Sequence, residues 1–533
     1  MKRILALILA LTLMLCGCVG SKNLGGVQGN FTSYRAMEYI HPNMDAFAQL
    51  LARCETIATE SEDIDEVIDM VYEFYDAYDR FQTDYNLAYI EYARDMTDSK
   101  WQAEYEYCDL NAATVDAGLE ALFMALAKSP IRAQLEGEEY FGEGFFLSYE
   151  GEATWDSGFV ELMTRESELI NQYYDLSTRA DELGYYTEDY FNVYADDMCQ
   201  VLVDLVTVRR EIADYTGYDS YVSFAYDFYY YRDYTPEDAM AYLEEIGQEM
   251  SELYRKTSLS SIQDAGYDLC LEHEVLAYGE TVAKNMGGVV QEAFDLMRMA
   301  ELYDISYSPD KASTSFELYL TSYGQPYLFL SPGRYRMDKL SFAHEFGHFV
   351  TDYAVPGGSY AGIDILEIFS QGMEYLALCY DGDEDPVLEK YKLADCLNTY
   401  VEQSGYACFE QKLYALPEEE LTVENVYRLY RETMEQFGVD FEAQGWDPRD
   451  FVTIPHFYSD PMYIISYVVS NDAAFQLFQL ELEERGAGLA RFRESLDTEC
   501  YYFLEFLEEA ELESPFAPGR VKEVQETLKK LLR

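Results

Sequence analysis

The sequence predicts a mainly α-helical fold with one small β-sheet, and three observations carry that prediction. Apolar residues recur at helical spacing through four long stretches of the first half. Strand-type alternation is concentrated in one place, residues 315–330. Directly after it comes a helical segment with two histidines four positions apart.

Length and composition set the outer bounds. A chain of 533 residues, 49% of them hydrophobic, is long enough for more than one core. Its 100 acidic residues against 37 basic ones leave a net charge of −63. Such a surface repels nucleic acid, which is excluded as a partner, repels anionic membrane, and favours cationic partners if any. Tyrosine is unusually frequent, at 51 residues. An apolar ring with a polar tip suits cores and water-reached channel walls alike.

The first residues read as an address. Met1-Lys2-Arg3 is followed by an apolar run, Ile4 to Leu15, too short to span a bilayer. The run ends in Leu15-Cys16-Gly17-Cys18, which resembles the bacterial lipobox, with Gly17 as the small residue before the cut. That resemblance implies a signal peptide over 1–17, a lipid thioether on Cys18 and an extracytoplasmic, membrane-anchored protein. The membrane contact would be through the anchor only. Residues 18–30 contain Gly20, Gly25, Gly26 and Gly29 and read as a flexible tether. No later stretch is long and apolar enough to cross a membrane. Eight further cysteines follow, none in a CxxC pair, which argues against a cysteine zinc site; their pairing stays open between disulfides and buried thiols.

Helical periodicity is clearest from Ser61 to Met96, with Val67, Ile68, Val71, Phe74, Tyr75 and Tyr78 on one face and Ser61 as the expected cap. It returns over 110–127, 159–183 and 190–216, while 137–155, rich in glycine and aromatics, reads as a loop or irregular hairpin. Breaks near Gly217 and Pro236 suggest an N-terminal helical region over 31–205 and a catalytic domain over 206–533. The strand signal comprises Ser315 to Leu320, a turn at Ser322 to Gln325, and Pro326 to Leu330. A helix follows, with Asp338 as its expected cap.

That helix carries Ala343-His344-Glu345-Phe346-Gly347-His348. Histidines at i and i+4 share a face and can reach one ion, and Glu345 beside them is placed to take a proton from water. Zinc with an open position needs a third protein ligand. Glu367, after 18 intervening residues, opens a helical run and fits that role; Pro356, Gly357, Gly358 and Gly362 let the chain turn back. Glu374, seven positions on, is expected to orient a ligand histidine. A third cluster, Ile454-Pro455-His456-Phe457-Tyr458 followed by Tyr463 and Tyr467, offers donors for a developing oxyanion.

At these clusters the sequence resembles the thimet-oligopeptidase and oligoendopeptidase F family of zinc peptidases, across roughly 205–533. The resemblance implies two helical lobes around a deep channel, with a small sheet next to the zinc helix. It implies one Zn²⁺ held by His344, His348 and Glu367, with Glu345 as the base. His456 and Tyr467 become oxyanion or substrate contacts, with Tyr463 a weaker candidate. Tyr327, Leu328, Phe329 and Leu330 would form the edge strand that pairs with substrate, and Tyr458 a substrate contact. Short unfolded peptides are the implied substrates. The 18-residue spacing is also that of one-zinc aminopeptidases, but their Gly-x-Met-Glu-Asn element is absent from this sequence. A peptide-binding lipoprotein without catalysis is the other alternative.

Overall fold

The computed structural model describes residues 31–533 except 138–139, 152–155, 258–261, 263–264, 356–360, 383–384 and 499. The expected signal peptide, the tether and Cys18 lie outside the described residues, as do Pro356, Gly357 and Gly358. The described chain is mainly helical with one three-stranded sheet, as expected. None of its helices is long and apolar enough to cross a membrane. Cys54, Cys108, Cys199, Cys270, Cys396, Cys408 and Cys500 are free and buried.

The chain divides into two compact units. The first takes the described residues of Met1–Trp155, Leu269–Tyr360 and Cys379–Glu384; the second takes Asp156–Asp268, Ala361–Leu378 and Asp385–Arg533. The boundary expected near 205 falls inside the unbroken helix Glu188–Thr216.

In the first unit, helices Met44–Glu60, Ile64–Arg94 and Ser99–Leu126 pack on one another. Asp63, rather than Ser61, caps Ile64–Arg94; Ser61 instead ends the preceding helix, its N–H bonding to Ile57 O. The aromatic stretch expected as a loop forms a 3-10 turn, Phe145–Tyr149, whose rings bury against Phe123.

The sheet has the order β1 (Tyr303–Asp304), β3 (Gln325–Phe329), β2 (Phe316–Leu320). β1 lies parallel to β3, and β2 antiparallel with Phe316 opposite Phe329 and Leu318 opposite Tyr327. This corrects one expectation. Tyr327 to Leu330 do not form an edge: all five residues of β3 are buried, and the amides of Leu328 and Leu330 already donate to Leu302 O and Asp304 O at 3.0 and 2.8 Å. Residues 325, 327 and 329 therefore bond toward β2, and by alternation Glu317 and Tyr319 turn their main-chain groups to the outer edge. Tyr319 O there accepts from Asn86 Nδ2 at 3.0 Å. Helix Ile64–Arg94 covers one face of the sheet, where Arg94 donates to Tyr327 Oη at 2.6 Å. Helix Asp338–Ala354 packs against β2 and β3.

The second unit is built on Ser157–Asp181, Glu188–Thr216, Pro236–Lys256 and Ile464–Glu483. The predicted breaks are helix boundaries: Gly217 ends one helix in the left-handed conformation, and Thr235 with Asp238 forms a capping box around Pro236. Arg209, fully buried, pairs with Glu166 and donates to the carbonyls of Phe457 at 3.1 Å and Tyr458. That guanidinium fixes the turn carrying His456.

Candidate metal centre

The helix Asp338–Ala354 buries Leu340, Phe342, Phe346, Phe349 and Val350, and Phe294 meets Phe346 edge-on at 5.7 Å. A Cβ on Gly279 would lie 2.3 Å from Phe342, so only glycine permits this approach. Asp338 is the first helical residue rather than the cap. Its carboxylate turns back to accept from the amides of Gly333 and Tyr335 at 3.2 and 2.8 Å, fastening the turn that leads in from β3. The less buried side presents His344 and His348, ring centroids 5.1 Å apart, and Glu345 between them is 8% exposed.

Glu367 sits on Ile363–Tyr380, a helix that begins four residues earlier than expected. The side chain is 2% exposed. Tyr463 donates to its Oε1 at 2.7 Å, and Ser370, one turn along, to its Oε2 at 3.0 Å. Ligand atoms of His344, His348 and Glu367 all lie within 4.8 Å of one another. Two imidazole nitrogens and one carboxylate oxygen are the donor set of a zinc site that keeps a position open. The hydroxyl donors to Glu367 fix a carboxylate whose burial demands partners. The residues present fit the metal.

His456 opens a short turn, His456–Ser459, and Tyr463 precedes the helix Ile464–Glu483. Tyr467 Oη lies 3.3 Å from His456 Nε2, and the rings of Tyr463 and Tyr467 are 5.2 Å apart. Burial holds His456 below its ordinary imidazole range. Met462, just before Tyr463, has φ +66° and donates its N–H to Glu410 Oε1 at 2.9 Å. Tyr463 therefore orients Glu367, a contact the sequence did not announce. Tyr458 is not a substrate contact. It is fully buried, stacked on Tyr173 at 3.6 Å, with its hydroxyl donating to Met198 O at 3.3 Å. Glu374 lies 2.8 Å from buried Lys392, an ion pair the sequence did not announce.

Two contributors went unread. Ser370 was visible only as the residue one turn after Glu367. Glu317 lies in the alternating stretch Ser315 to Leu320 and drew no role from the sequence. Its Oε1 is buried without a hydrogen-bond partner. Burial, then Asp352 and Glu345, push its carboxyl well above the usual carboxylate range.

Residues 34–155 match the peptidase M3 N-terminal domain, although the motifs above all lie later in the chain. No curated protein matches the chain in sequence. Among solved structures, one described as oligoendopeptidase F superposes with a TM-score of 0.78 at 19% identity, covering 94% of this chain and 98% of its own. PZ peptidase A, solved with an inhibitor, gives 0.79 at 19% identity over 93% and 98%. An oligoendopeptidase F of Bacillus anthracis str. Ames gives 0.75 at 20% identity over 95% and 98%. At these identities the structural likeness shows the fold; the chain is similar to peptidase M3 proteins in that fold, in the domain matched over residues 34–155 and in carrying a His-His-Glu group that could hold a metal ion.

Proposed function

We propose that this chain hydrolyses short, unfolded peptides internally, outside the cytoplasmic membrane. The observation that carries the reading is the convergence of His344, His348 and Glu367 ligand atoms within 4.8 Å, with Glu345 between the two histidines. A zinc ion held by these three side chains supplies Lewis acidity to a scissile carbonyl and to a water molecule. Glu345 takes the proton from the attacking water and returns it to the leaving amine. Tyr467 and His456, a hydroxyl and an imidazole 3.3 Å apart, donate to the oxyanion as it develops. Tyr463 and Ser370 hold the Glu367 carboxylate in one orientation. The substrate strand adds to the outer edge of β2, at the main-chain groups of Glu317, since β3 is central.

Replacing Glu345 with Gln while confirming bound zinc is the direct test. Hydrolysis of a quenched peptide should fall by about 10²–10⁴. A variant with full metal content and near wild-type rate removes Glu345 as the base. Export and anchoring rest on the leader and on Cys18. Cys18→Ser should abolish lipid labelling and release the protein from membranes; a Cys18→Ser protein that stays membrane-bound contradicts the anchor.

A further inference from the structure

We infer that Glu317, paired with Asp352, forms an acidic subsite that selects peptides bearing a lysine or arginine beside the scissile bond. The inference rests on the peptide-hydrolase reading and supplies its substrate class. Glu317 lies on β2, and the register of β2 with β3 turns its N–H and C=O to the outer edge. Among the described residues no strand pairs with that edge. A peptide added there sets one of its residues directly across from Glu317, with the two Cβ atoms about 5 Å apart on the same face.

That face is the one toward the metal helix. Phe316 stacks on Phe329 at 4.5 Å on the opposite face, where Tyr327 also meets Arg94. Glu317 and Leu328 therefore share the face that packs on Asp338–Ala354. Glu345 and Asp352, seven residues apart on that helix, stand two turns apart along one side, and both act electrostatically on Glu317, with Asp352 hydrogen-bonded to it. Glu317 Oε1 is buried and has no partner, the costly condition for a carboxylate oxygen. Among the described residues no lysine, arginine or histidine forms an ion pair with Glu317. A substrate ammonium or guanidinium across the strand pair supplies the missing donor. The −63 net charge draws such peptides in from a distance.

The test uses one quenched octapeptide varied through Lys, Arg, norleucine and Glu at each position flanking the cleaved bond. Two readouts are taken: kcat/KM on metal-loaded protein, and binding of labelled peptides to the Glu345→Gln background by fluorescence anisotropy. At one position Lys and Arg should exceed norleucine about tenfold or more, mainly through KM, with the same ranking in binding. Glu317→Gln should bring that ratio to about one. Glu317→Asp, which keeps the acid but draws it back by one methylene, should lower the ratio in part and serves if Glu317→Gln does not fold. A wild-type ratio near one at every position, or a ratio unchanged in Glu317→Gln, overturns the subsite. Binding that keeps the cation ranking while metal-loaded protein cuts nothing overturns the hydrolase reading and leaves the subsite standing.

Discussion

The phenol of Tyr463 donates to Oε1 of Glu367 at 2.7 Å, while Ser370 occupies Oε2 at 3.0 Å. A buried carboxylate held at both oxygens is already oriented, so an ion bound by it would not bear the entropy of fixing it. Tyr463→Phe leaves Oε1 without its donor. Zinc affinity, measured by competition with a chromophoric chelator, should weaken about 10–100-fold. If affinity is unchanged and only kcat falls, Tyr463 acts on the substrate instead.

Tyr467 and His456 are expected to act later in the reaction. Tyr467→Phe keeps the ring that packs beside Tyr463 and removes only the hydroxyl near His456 Nε2. Loss of one oxyanion donor should lower kcat by about 10²–10³, with KM and zinc content little altered. A variant whose KM rises while kcat holds would assign Tyr467 to ground-state binding.

Arg209 reaches the His456 turn through the carbonyls of Phe457 and Tyr458 while pairing with Glu166. Removing the guanidinium strands a buried carboxylate and two carbonyls at once. Arg209→Leu should destabilise the fold by about 3–5 kcal/mol in denaturant titrations. A change below about 1 kcal/mol would mean that Glu166 takes up a proton and the turn finds other donors.

The parts of this molecule legible in its sequence are those fixed by local spacing. His344, Glu345 and His348 share a helix, and one helix dictates their mutual placement. Hydrophobic period likewise located the long helices and the hairpin. Strand order was not legible, because alternation in 316–320 and 325–329 cannot say that residues 303 and 304 arrive to make β3 central. The partners of Glu374 and Tyr458 were hidden for a related reason. Lys392 and Tyr173 are distant in sequence, and nothing in a helical repeat announces an ion pair or ring stack formed by tertiary packing. Glu317 shows the limit most sharply: a polar phase on a half-buried strand reads as solvent-facing, yet the metal helix covers it.

Glu410 offers a pH test of how the Tyr463 turn is held. Its carboxyl, 2% exposed, accepts the N–H of Met462, the residue with φ +66° that aims Tyr463. Burial pushes it up to about 8, against the pull of Arg209 and Arg232. In the unfolded chain a glutamate titrates near ~4.3. Between those values the folded state keeps a proton that the unfolded state has lost, so stability falls as pH rises through the window and levels off above it. Glu410→Gln copies the protonated form at every pH and lacks this slope. Unfolding free energies measured for both proteins from pH 5 to 9 should diverge, the wild type losing up to a few kcal/mol relative to the variant by pH 8. A constant difference across that range would mean that Glu410 is already ionised in the fold, with Arg209 and Arg232 outweighing its burial.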